Sequence, residues 1–322
     1  MDNSALPRTI EVLLYDGVNA IDVTGPSQAF DHARRAERGA YVLRYVSADG
    51  ARVKTSCGLT LMPDGRLSTD EDSDLLVPGG AGVDILLTNT AVLEVVRARA
   101  AHPGDSRLIS ICSGALILAA AGALDGHAAT THWSRESETR RFPGVMWDLD
   151  RIYVASGRIF TSAGVTTGID LALEIIRKDC GNGAALTVAR ELVVQLRRTG
   201  GQSQYAMHLA GQFAQEGGLE QLIETVIAEP NRVWTLDDLA VEAGMNRRTL
   251  SRAFKRHLSM PPAQFVEKVR VDHARGLLEN ARPLKQVATQ SGFGDVQRMR
   301  RAFKRRFGLS MAEYAAAFAG SV

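Results

Sequence analysis

The sequence has few cysteines and no long apolar run. Its three cysteines, Cys57, Cys112 and Cys180, are odd in number and far apart, which argues against a disulfide framework or a zinc site. No stretch of about eighteen apolar residues without charges is present, so no membrane-spanning helix is expected. The first residues also lack the basic and apolar segments of a secretory signal. These absences favour a cytoplasmic protein that needs no metal or other cofactor and no membrane.

Charge is unevenly distributed along the 322 residues. Residues 231–322 contain 17 lysines and arginines against 8 acids, a net charge of +9. Because the whole chain carries +2, residues 1–230 carry −7. A basic module therefore follows an acidic body, and such a module attracts polyanions, with nucleic acid the first candidate. Charge alone leaves open the alternative of a well-solvated helical surface.

Strand-like and helix-like segments alternate over residues 1–198. The strands are "TIEVLLYDG", "YVLRYVSA", "SDLLVPGG", "RLISI" and a hairpin in "RIYVASGRIFTSA" that turns at Ser156-Gly157. The helices are "GPSQAFDHARRAE", "VDILLTNTAVLEVVRARAA", "SGALILAAAGAL", "GIDLALEIIRK" and "AALTVARELVVQLRR". This alternation predicts an α/β fold whose largely parallel sheet is sandwiched by helices. Ligands in such folds bind beyond the carboxyl ends of the strands.

Cys112 follows one of these strands directly, in "LISICSGALILAAAGAL". A nucleophile on a tight strand-to-helix turn needs small residues two positions before and after it, and Ser110 and Gly114 meet that need. The amino terminus of the next helix favours a thiolate, so we expect a lowered pKa for the thiol. The alternative is an inert core thiol, since free cysteine is among the most buried residue types.

Two backbone amides are candidates for an anion cradle beside this thiol. Gly80 ends the "PGG" loop after a predicted strand, and Ser113 follows Cys112. If both amides face one point, they could bind an oxyanion or a carboxylate.

Four segments of the body resemble the ThiJ/PfpI superfamily, in the branch of isonitrile hydratases and GlxA-type regulators. They are "LLYDGVNAIDVTGPSQAF", "LLVPGG", "ISICSGALILAAAGALDGHAATTHW" and "FTSAGVTTGIDLALEII". The resemblance implies a flavodoxin-like fold, a reactive Cys112, a carboxylate from Asp22 over the sulfur, and His132 nearby. Alternatively, Asp22 caps a helix that starts near Gly25, and His132 is a structural residue beside Trp133.

The segment "TGGQSQYAMHLAGQFAQEGG", residues 199–218, contains five glycines and little apolar periodicity. This composition is typical of a linker. We therefore expect a ligand-sensing domain over 1–198 and a second domain over 219–322.

The second domain contains an internal repeat. The segment "LDDLAVEAGMNRRTLSRAFKRHLSMPPAQF" (236–265) matches "LKQVATQSGFGDVQRMRRAFKRRFGLSMAEY" (284–314), which has one extra residue in its turn. Gly244 matches Gly292, and Phe254 matches Phe303. Each copy has the pattern helix, glycine turn, helix, which predicts two helix-turn-helix motifs at about 236–258 and 284–307.

The second helix of each copy has an apolar face and a basic face. Leu250, Phe254 and Leu258 point inward in the first copy. The inward residues of the second copy are Met299, Phe303 and Phe307. The outward side chains are Arg247, Arg248, Ser251, Arg252 and Lys255 in the first copy, and Gln297, Arg298, Arg300, Arg301, Lys304 and Arg305 in the second. Such side chains suit DNA phosphates and major-groove base edges. A helical repeat that does not bind DNA would explain the cores but not the basic faces.

The tail resembles the AraC/XylS DNA-binding domain over about a hundred residues, through "LAVEAGM", "RAFKRHLSMPPAQF", "VATQSGFGD" and "RAFKRRFGLSMAEY". The resemblance implies double-stranded DNA as partner, with the two motifs in successive major grooves. Two residues depart from the family pattern. Met299 replaces a usual phenylalanine, which is a tolerable core substitution, and Met311 replaces a usual proline, so the last helix should start less sharply.

The whole chain is thus identified as similar to GlxA-type transcriptional regulators. The resemblance implies a homodimer, associated with the nucleoid, that senses a small nitrogenous effector such as a quaternary ammonium compound or arginine. It favours activation, with RNA polymerase as a further candidate partner. Two alternatives remain: a hydratase or glyoxalase-like enzyme that uses Cys112 with Asp22 as acid and base, and a redox sensor through sulfenic acid at Cys112.

Overall fold

A computed structural model describes residues 7–36, 40–69, 72–195, 218–279 and 282–317. The chain divides into two compact units, Met1–Thr199 and Gly200–Gly320. The predicted linker, residues 199–218, lies outside the described residues except for Gly218.

The first unit is built on a central sheet. Its strands in chain order are β1 (Arg8–Leu14), β2 (Tyr41–Ser47), β3 (Val53–Lys54), β4 (Thr60–Leu61), β5 (Gly65–Arg66), β6 (Asp74–Val77), β7 (Leu108–Ile111), β8 (Ala128–Ala129), β9 (Met146–Trp147), β10 (Tyr153–Ser156) and β11 (Ile159–Ser162). Seven of these described strands form one sheet in the order β10-β11-β7-β6-β1-β2-β5. Its pairs are parallel except for the β10–β11 hairpin. The predicted α/β fold with a largely parallel sheet is confirmed.

Helices cover this sheet: α1 (Ala20–Ala36), α2 (Val83–Leu86), α3 (Thr90–Ala101), α4 (Gly114–Ala120), α5 (Glu136–Thr139) and α6 (Thr167–Glu191). The segment "VDILLTNTAVLEVVRARAA" was predicted as one helix, but it forms two. The reason is Asn89, whose side chain accepts a hydrogen bond from the Val92 amide at 3.2 Å and so begins a new helix. Gly181, at φ 86° and ψ 173°, interrupts α6 between the two helical segments that the sequence predicts there.

The central strands are buried on both faces, as parallel strands in this architecture are. Val12, Leu75 and Ile109 of neighbouring strands are fully or almost fully buried, and so are Leu116 of α4 and Ile175 of α6. The core therefore fixes the carboxyl ends of β1, β6 and β7 side by side, where the loops carrying the candidate ligand site begin. None of the described helices is both long and apolar enough to cross a membrane.

The second unit is helical in its described residues: α7 (Leu219–Ala228), α8 (Leu236–Glu242), α9 (Arg247–Leu258), α10 (Pro262–Glu279), α11 (Leu284–Gln290), α12 (Val296–Phe307) and α13 (Met311–Ala317). Helices α8 and α9 form the first helix-turn-helix, and α11 and α12 form the second. The expected gradual start of α13 at Met311 is wrong. Ser310 and Glu313 form a reciprocal cap, with the Ser310 amide donating to Glu313 Oε2 at 2.7 Å and the Glu313 amide donating to Ser310 Oγ at 3.2 Å.

The two glycines that match in the repeat allow a test of packing. Both have a left-handed backbone, with φ +61° at Gly244 and +78° at Gly292. A Cβ at Gly244 would meet nothing within 4 Å, whereas one at Gly292 would lie 2.2 Å from the carbonyl oxygen of Pro230. We expect Gly292→Ala to cost about 1–3 kcal/mol more than Gly244→Ala, because only Gly292→Ala adds overpacking to backbone strain. Urea unfolding of the two variants measures the difference, and equal losses would contradict it.

Candidate functional site

Cys112 stands on a strained turn between β7 and α4. Its φ is 58°, in the left-handed region that few non-glycine residues adopt. A Cβ at Gly114 would lie 2.1 Å from the Val77 carbonyl oxygen, so this position requires glycine. Two further glycines enclose Cys112: added Cβ atoms at Gly79 and Gly164 would lie 2.7 Å and 2.2 Å from the Cys112 Cβ. Sequence reasoning did not select Gly79 or Gly164, although both lie within the segments that carry the resemblance.

Asp22 lies beside the sulfur and is fully buried. Its carboxylate accepts hydrogen bonds from the amides of Gly79 at 3.1 Å and Val165 at 3.0 Å, and from the Cys112 thiol. The alternative that Asp22 caps a helix starting near Gly25 is wrong. Helix α1 already begins at Ala20, where the side chain of Asn19 accepts from the Ile21 amide at 3.0 Å. The Asp22 carboxylate therefore accepts hydrogen bonds from two other loops and does not cap its own helix.

The thiol is more basic than the sequence predicts. Burial, followed by the negative charge of Asp22, raises the pKa of Cys112 to about 12. The hydrogen bond from the Ser113 amide opposes this rise but is the weaker effect. Burial also raises the pKa of Asp22 to about 6, against the hydrogen bonds from Val165 and Gly79. The expected activated thiolate is thus wrong for this structure: at neutral pH a neutral thiol donates to a largely ionised carboxylate.

One of the two predicted cradle amides already has a partner. The Gly80 amide donates to the hydroxyl of Ser113 at 3.1 Å. Gly80 has φ +149°, and a Cβ there would lie 2.4 Å from the carbonyl oxygen of Gly17. The backbone at Gly80 therefore packs closely against Gly17, and the Gly80 amide already donates a hydrogen bond.

His132 lies next to this centre but is not its partner. Its Nδ1 lies 2.7 Å from the Ser134 hydroxyl, and its ring centroid lies 5.4 Å from that of Trp133. Burial lowers the pKa of His132. These contacts match the structural alternative. Thr131 instead contacts the turn at Cys112, since its hydroxyl donates to the Cys112 carbonyl at 2.8 Å.

Arg135, which sequence reasoning did not assign to the site, stands at its edge, and Trp133 lies two residues before it in the chain. The Arg135 guanidinium forms ion pairs with Asp84 and Glu138, and its charge acts on Cys112. The Trp133 side chain is 62% exposed. Over the described ranges, no group of three or more His, Cys, Asp and Glu side chains could hold a metal ion.

Alkylation can test the state of Cys112. The Cys57 thiol is exposed, and its pKa is lowered by a hydrogen bond with the Thr55 hydroxyl, whose oxygen lies 3.3 Å from the sulfur. A thiol pKa of about 12 in place of 9.0 reduces the thiolate fraction about a thousandfold. We expect iodoacetamide to modify Cys57 first and Cys112 at least about a thousandfold more slowly, as measured by peptide mass spectrometry. Denaturant should make the rates similar. Comparable rates in the folded protein would contradict the buried neutral thiol.

The carboxylate of Asp22 should make stability depend on pH. Its pKa is raised from 3.8 to about 6, so its contribution to stability is full below pH 3.8 and is lost as pH rises through about 6. We expect the stability of Asp22→Asn relative to wild type to increase by about 1–3 kcal/mol from pH 4 to pH 7. A pH-independent cost adds to this difference, because the asparagine NH2 group cannot accept one of the two amide hydrogen bonds that the carboxylate accepts. Urea titrations from pH 4 to 8 test this, with Glu94→Gln at an exposed position of α3 as control, and a difference that is constant with pH would contradict it.

The predicted basic residues of the second unit lie outside the buried faces of α9 and α12. Leu250, Phe254 and Met299 are fully buried, and the Met299 sulfur lies 3.9 Å from the Ser291 hydroxyl. On the outer face, Arg247 pairs with Asp237 of α8, and Arg305 pairs with Glu267 at 2.9 Å. The Ser251 hydroxyl donates to the carbonyl of its own helix at Arg247. The exposed remainder of the predicted set is Arg248, Arg252, Lys255, Gln297, Arg298, Arg300, Arg301 and Lys304.

Arg270, on the long helix α10 between the two motifs, was missed by sequence reasoning. Its guanidinium donates to the carbonyls of Pro230 and Arg232, both at 2.9 Å. The Pro230 carbonyl is also the atom that approaches Gly292. Arg270 therefore ties the segment before the first motif to the turn of the second.

Comparison with known proteins assigns both units. The DJ-1/PfpI family model matches residues 8–178, which is more than half of the chain. The chain belongs to the DJ-1/PfpI family. A helix-turn-helix domain model matches residues 239–317. The predicted combination of a ThiJ/PfpI-like body with a helix-turn-helix tail is confirmed.

Individual relatives extend the assignment. The chain is 27% identical over 309 residues to the HTH-type transcriptional regulator GbdR of Pseudomonas aeruginosa, covering 94% of this chain and 83% of that protein. It is 35% identical over 187 residues to isonitrile hydratase of Pseudomonas putida, covering 57% and 77%. A crystal structure of a ThiJ/PfpI family protein from Pseudomonas syringae matches with a TM-score of 0.53 and 26% identity, covering 60% and 77%. The relative that spans both units is a regulator, and this chain is a DNA-binding transcriptional regulator.

Proposed function

We propose that this regulator binds an operator with both helix-turn-helix units and that a small nitrogenous effector at the Cys112 site controls it. The observation that carries the proposal is the repeated exposed cationic face on α9 and α12, each supported by its own buried apolar face. Basic side chains on a recognition helix bind phosphates and base edges of duplex DNA. The organisation is a sensing domain over 1–198, a linker over 199–218 and a DNA-binding domain over 219–322.

The edge of the Cys112 site supports an effector with both a positive and a negative group. Trp133 offers an exposed aromatic face, which attracts ammonium and quaternary ammonium groups. Asp84 and Glu138 pair with Arg135 here, so a zwitterionic effector would bind by exchanging its own ammonium and carboxylate into these ion pairs. An amino acid or a related amine meets these demands better than an uncharged compound does.

Strain at the site supports a sensing role. Cys112 and Val165, both at the Asp22 carboxylate, have φ values of 58° and 53°, and for a β-branched residue such as Val165 this backbone is a marked outlier. The Val165 amide donates to Asp22 just before α6 begins at Thr167. A ligand that competes for the Asp22 carboxylate would release Val165 and change the start of α6, the helix that leads toward the end of the first unit.

The regulator acts, under this proposal, as a cytoplasmic homodimer that activates transcription on the nucleoid through contact with RNA polymerase. These finer points rest on the family resemblance.

Catalysis is the second candidate function, and the hydratase relative favours testing it. A protonated thiol whose neighbouring Gly80 amide already donates to Ser113 is poorly prepared for nucleophilic attack. We expect no turnover of isonitriles or methylglyoxal above that of Cys112→Ala. A rate that depends on Cys112 would instead support an enzyme. Oxidation to sulfenic acid needs a thiolate as well, so we expect peroxide to leave Cys112 and promoter binding unchanged.

A thermal-shift screen of the full chain against amines and amino acids tests the sensing proposal. An effector that binds only the native state raises Tm. At a concentration of a hundred times its Kd it raises the free energy of unfolding by about 2.7 kcal/mol. A hit should then change binding to the promoter region beside the coding sequence, and Trp133→Ala should weaken the shift. If the full chain binds its own promoter but no amine or amino acid alters Tm or binding, the effector class is wrong. If it does not bind that DNA, the operator proposal is wrong.

A further inference from the structure

The two recognition helices α9 and α12 share one register. Both begin directly after a capping residue, Asn246 in α9 and Asp295 in α12, whose side chain accepts backbone amide hydrogen bonds. The buried positions then correspond one by one: Leu250 with Met299, Ala253 with Ala302, and Phe254 with Phe303. Each residue of the first helix can therefore be paired with the residue 49 positions later in the second.

The stripe directly opposite the buried face contains three residues in each helix. Helical spacing of i, i+4 and i+7 places Arg248, Arg252 and Lys255 on this stripe in α9. The paired residues in α12 are Gln297, Arg301 and Lys304. All six are exposed. The second and third positions are identical in the two helices, so the first position is where the stripes differ.

This first position lies in the opening turn of each helix, the part that reaches base edges in helix-turn-helix proteins. Within the described parts of the chain, the side chains of Arg248 and Gln297 donate no hydrogen bond, so both are available to a ligand. Arginine binds guanine through O6 and N7, whereas glutamine binds adenine through N6 and N7. By contrast, Arg247 is held by Asp237, and the Ser251 hydroxyl is held by its own helix.

We propose that the two halves of the operator differ at one equivalent base pair, a G·C pair read by Arg248 in one half and an A·T pair read by Gln297 in the other. The inference rests on the proposed operator binding and adds its base preference. The identical arginines and lysines at the second and third positions give the two halves the same other contacts from this stripe. A single chain therefore recognises an imperfect repeat in one fixed orientation, because exchanging the halves mismatches both positions.

Selection from a randomised duplex library with the full-length protein tests this. We expect wild type to select a two-part site, Arg248→Gln to select A·T in place of G·C in one part, and Gln297→Arg to select G·C in the other. Each change should alter the preference by roughly tenfold to a hundredfold. The double variant R248Q/Q297R has the composition and charge of wild type, so it should select the site with its two parts exchanged. Arg97→Gln, at an exposed position of the first unit, is the control and should select the wild-type site.

Each outcome decides one claim. If wild type selects a site and the double variant selects the same one, the base assignment is wrong while operator binding stands. If Arg248→Gln weakens binding equally on all sequences, Arg248 contacts phosphate and the assignment is likewise wrong. If wild type selects no sequence, the operator proposal fails and the inference fails with it. The variants are on the surface, and an unchanged Tm will show that they are folded.

Discussion

Replacing Arg252 and Arg301 together with alanine should remove most specific DNA binding. The two side chains occupy equivalent exposed positions of α9 and α12, opposite the buried faces. An arginine that reads a base contributes about 1–3 kcal/mol. Because the two lie on separate recognition helices, their effects should add. The double variant should lose about 2–6 kcal/mol, which is a loss of roughly thirtyfold to twenty-five-thousandfold in affinity.

Fluorescence anisotropy with the promoter DNA over a salt series measures this loss. The matched control removes two exposed arginines from the first unit, Arg52 and Arg97, and so makes the same change in net charge. Arg252→Ala alone should cost about 1–3 kcal/mol at one base pair if it reads a base, but less and uniformly if it holds a phosphate. Phosphate contacts would also reduce the salt slope by about one per arginine. If the double variant binds as tightly as its control, neither arginine belongs to the interface.

The repeat in the second unit could be read from the sequence because its signals are local. The apolar spacing of Leu250 and Phe254, and the glycine in each turn, depend only on helix geometry and backbone conformation. The structure has the helices where this spacing places them. What local reasoning could not supply are the ion pairs of Arg247 with Asp237 and of Arg305 with Glu267, because these depend on how neighbouring helices cross.

The chemistry of Cys112 could not be predicted in the same way. The strand-to-helix turn at Cys112 is a local feature, and the sequence alone predicts its position after β7. The pKa of its thiol depends on burial by Gly79 and Gly164, which lie in two separate loops, and on the charge of Asp22, which lies in the first turn of α1. The amides that hold Asp22 lie 57 and 143 residues away along the chain. A helix amino terminus favours thiolate, but desolvation at this depth opposes it and is the larger effect.

Gly164→Ala should have the largest effect on the first unit. Gly164 has φ +99°, and an added Cβ would lie 2.2 Å from the Cβ of Cys112 and 2.7 Å from its sulfur. Gly157, in the turn of the β10–β11 hairpin, also has a left-handed backbone, at φ +62°, but a Cβ there meets nothing within 4 Å. We expect Gly157→Ala to cost about 1–2 kcal/mol from the backbone alone. Gly164→Ala adds overpacking and should cost about 2–5 kcal/mol.

A second substitution identifies the atoms responsible. Cys112→Gly removes both the Cβ and the sulfur, and its φ of 58° suits glycine. The double variant G164A/C112G should therefore be more stable than Gly164→Ala alone, although the Cys112 Cα, 2.6 Å from the added Cβ, remains and makes the rescue partial. Cys112→Ala keeps the Cβ and should rescue little. Urea unfolding of wild type, the three single variants and the double variants G164A/C112G and G164A/C112A forms the two required cycles. Equal rescue by Cys112→Gly and Cys112→Ala would contradict the close packing of residue 164 on Cys112. A Gly164→Ala variant as stable as Gly157→Ala would contradict it as well. If the packing is confirmed, any effector that displaces the loop of Gly164 and Val165 must also move Cys112. The strained turn at Cys112 would then be coupled to the first turn of α6, which begins at Thr167.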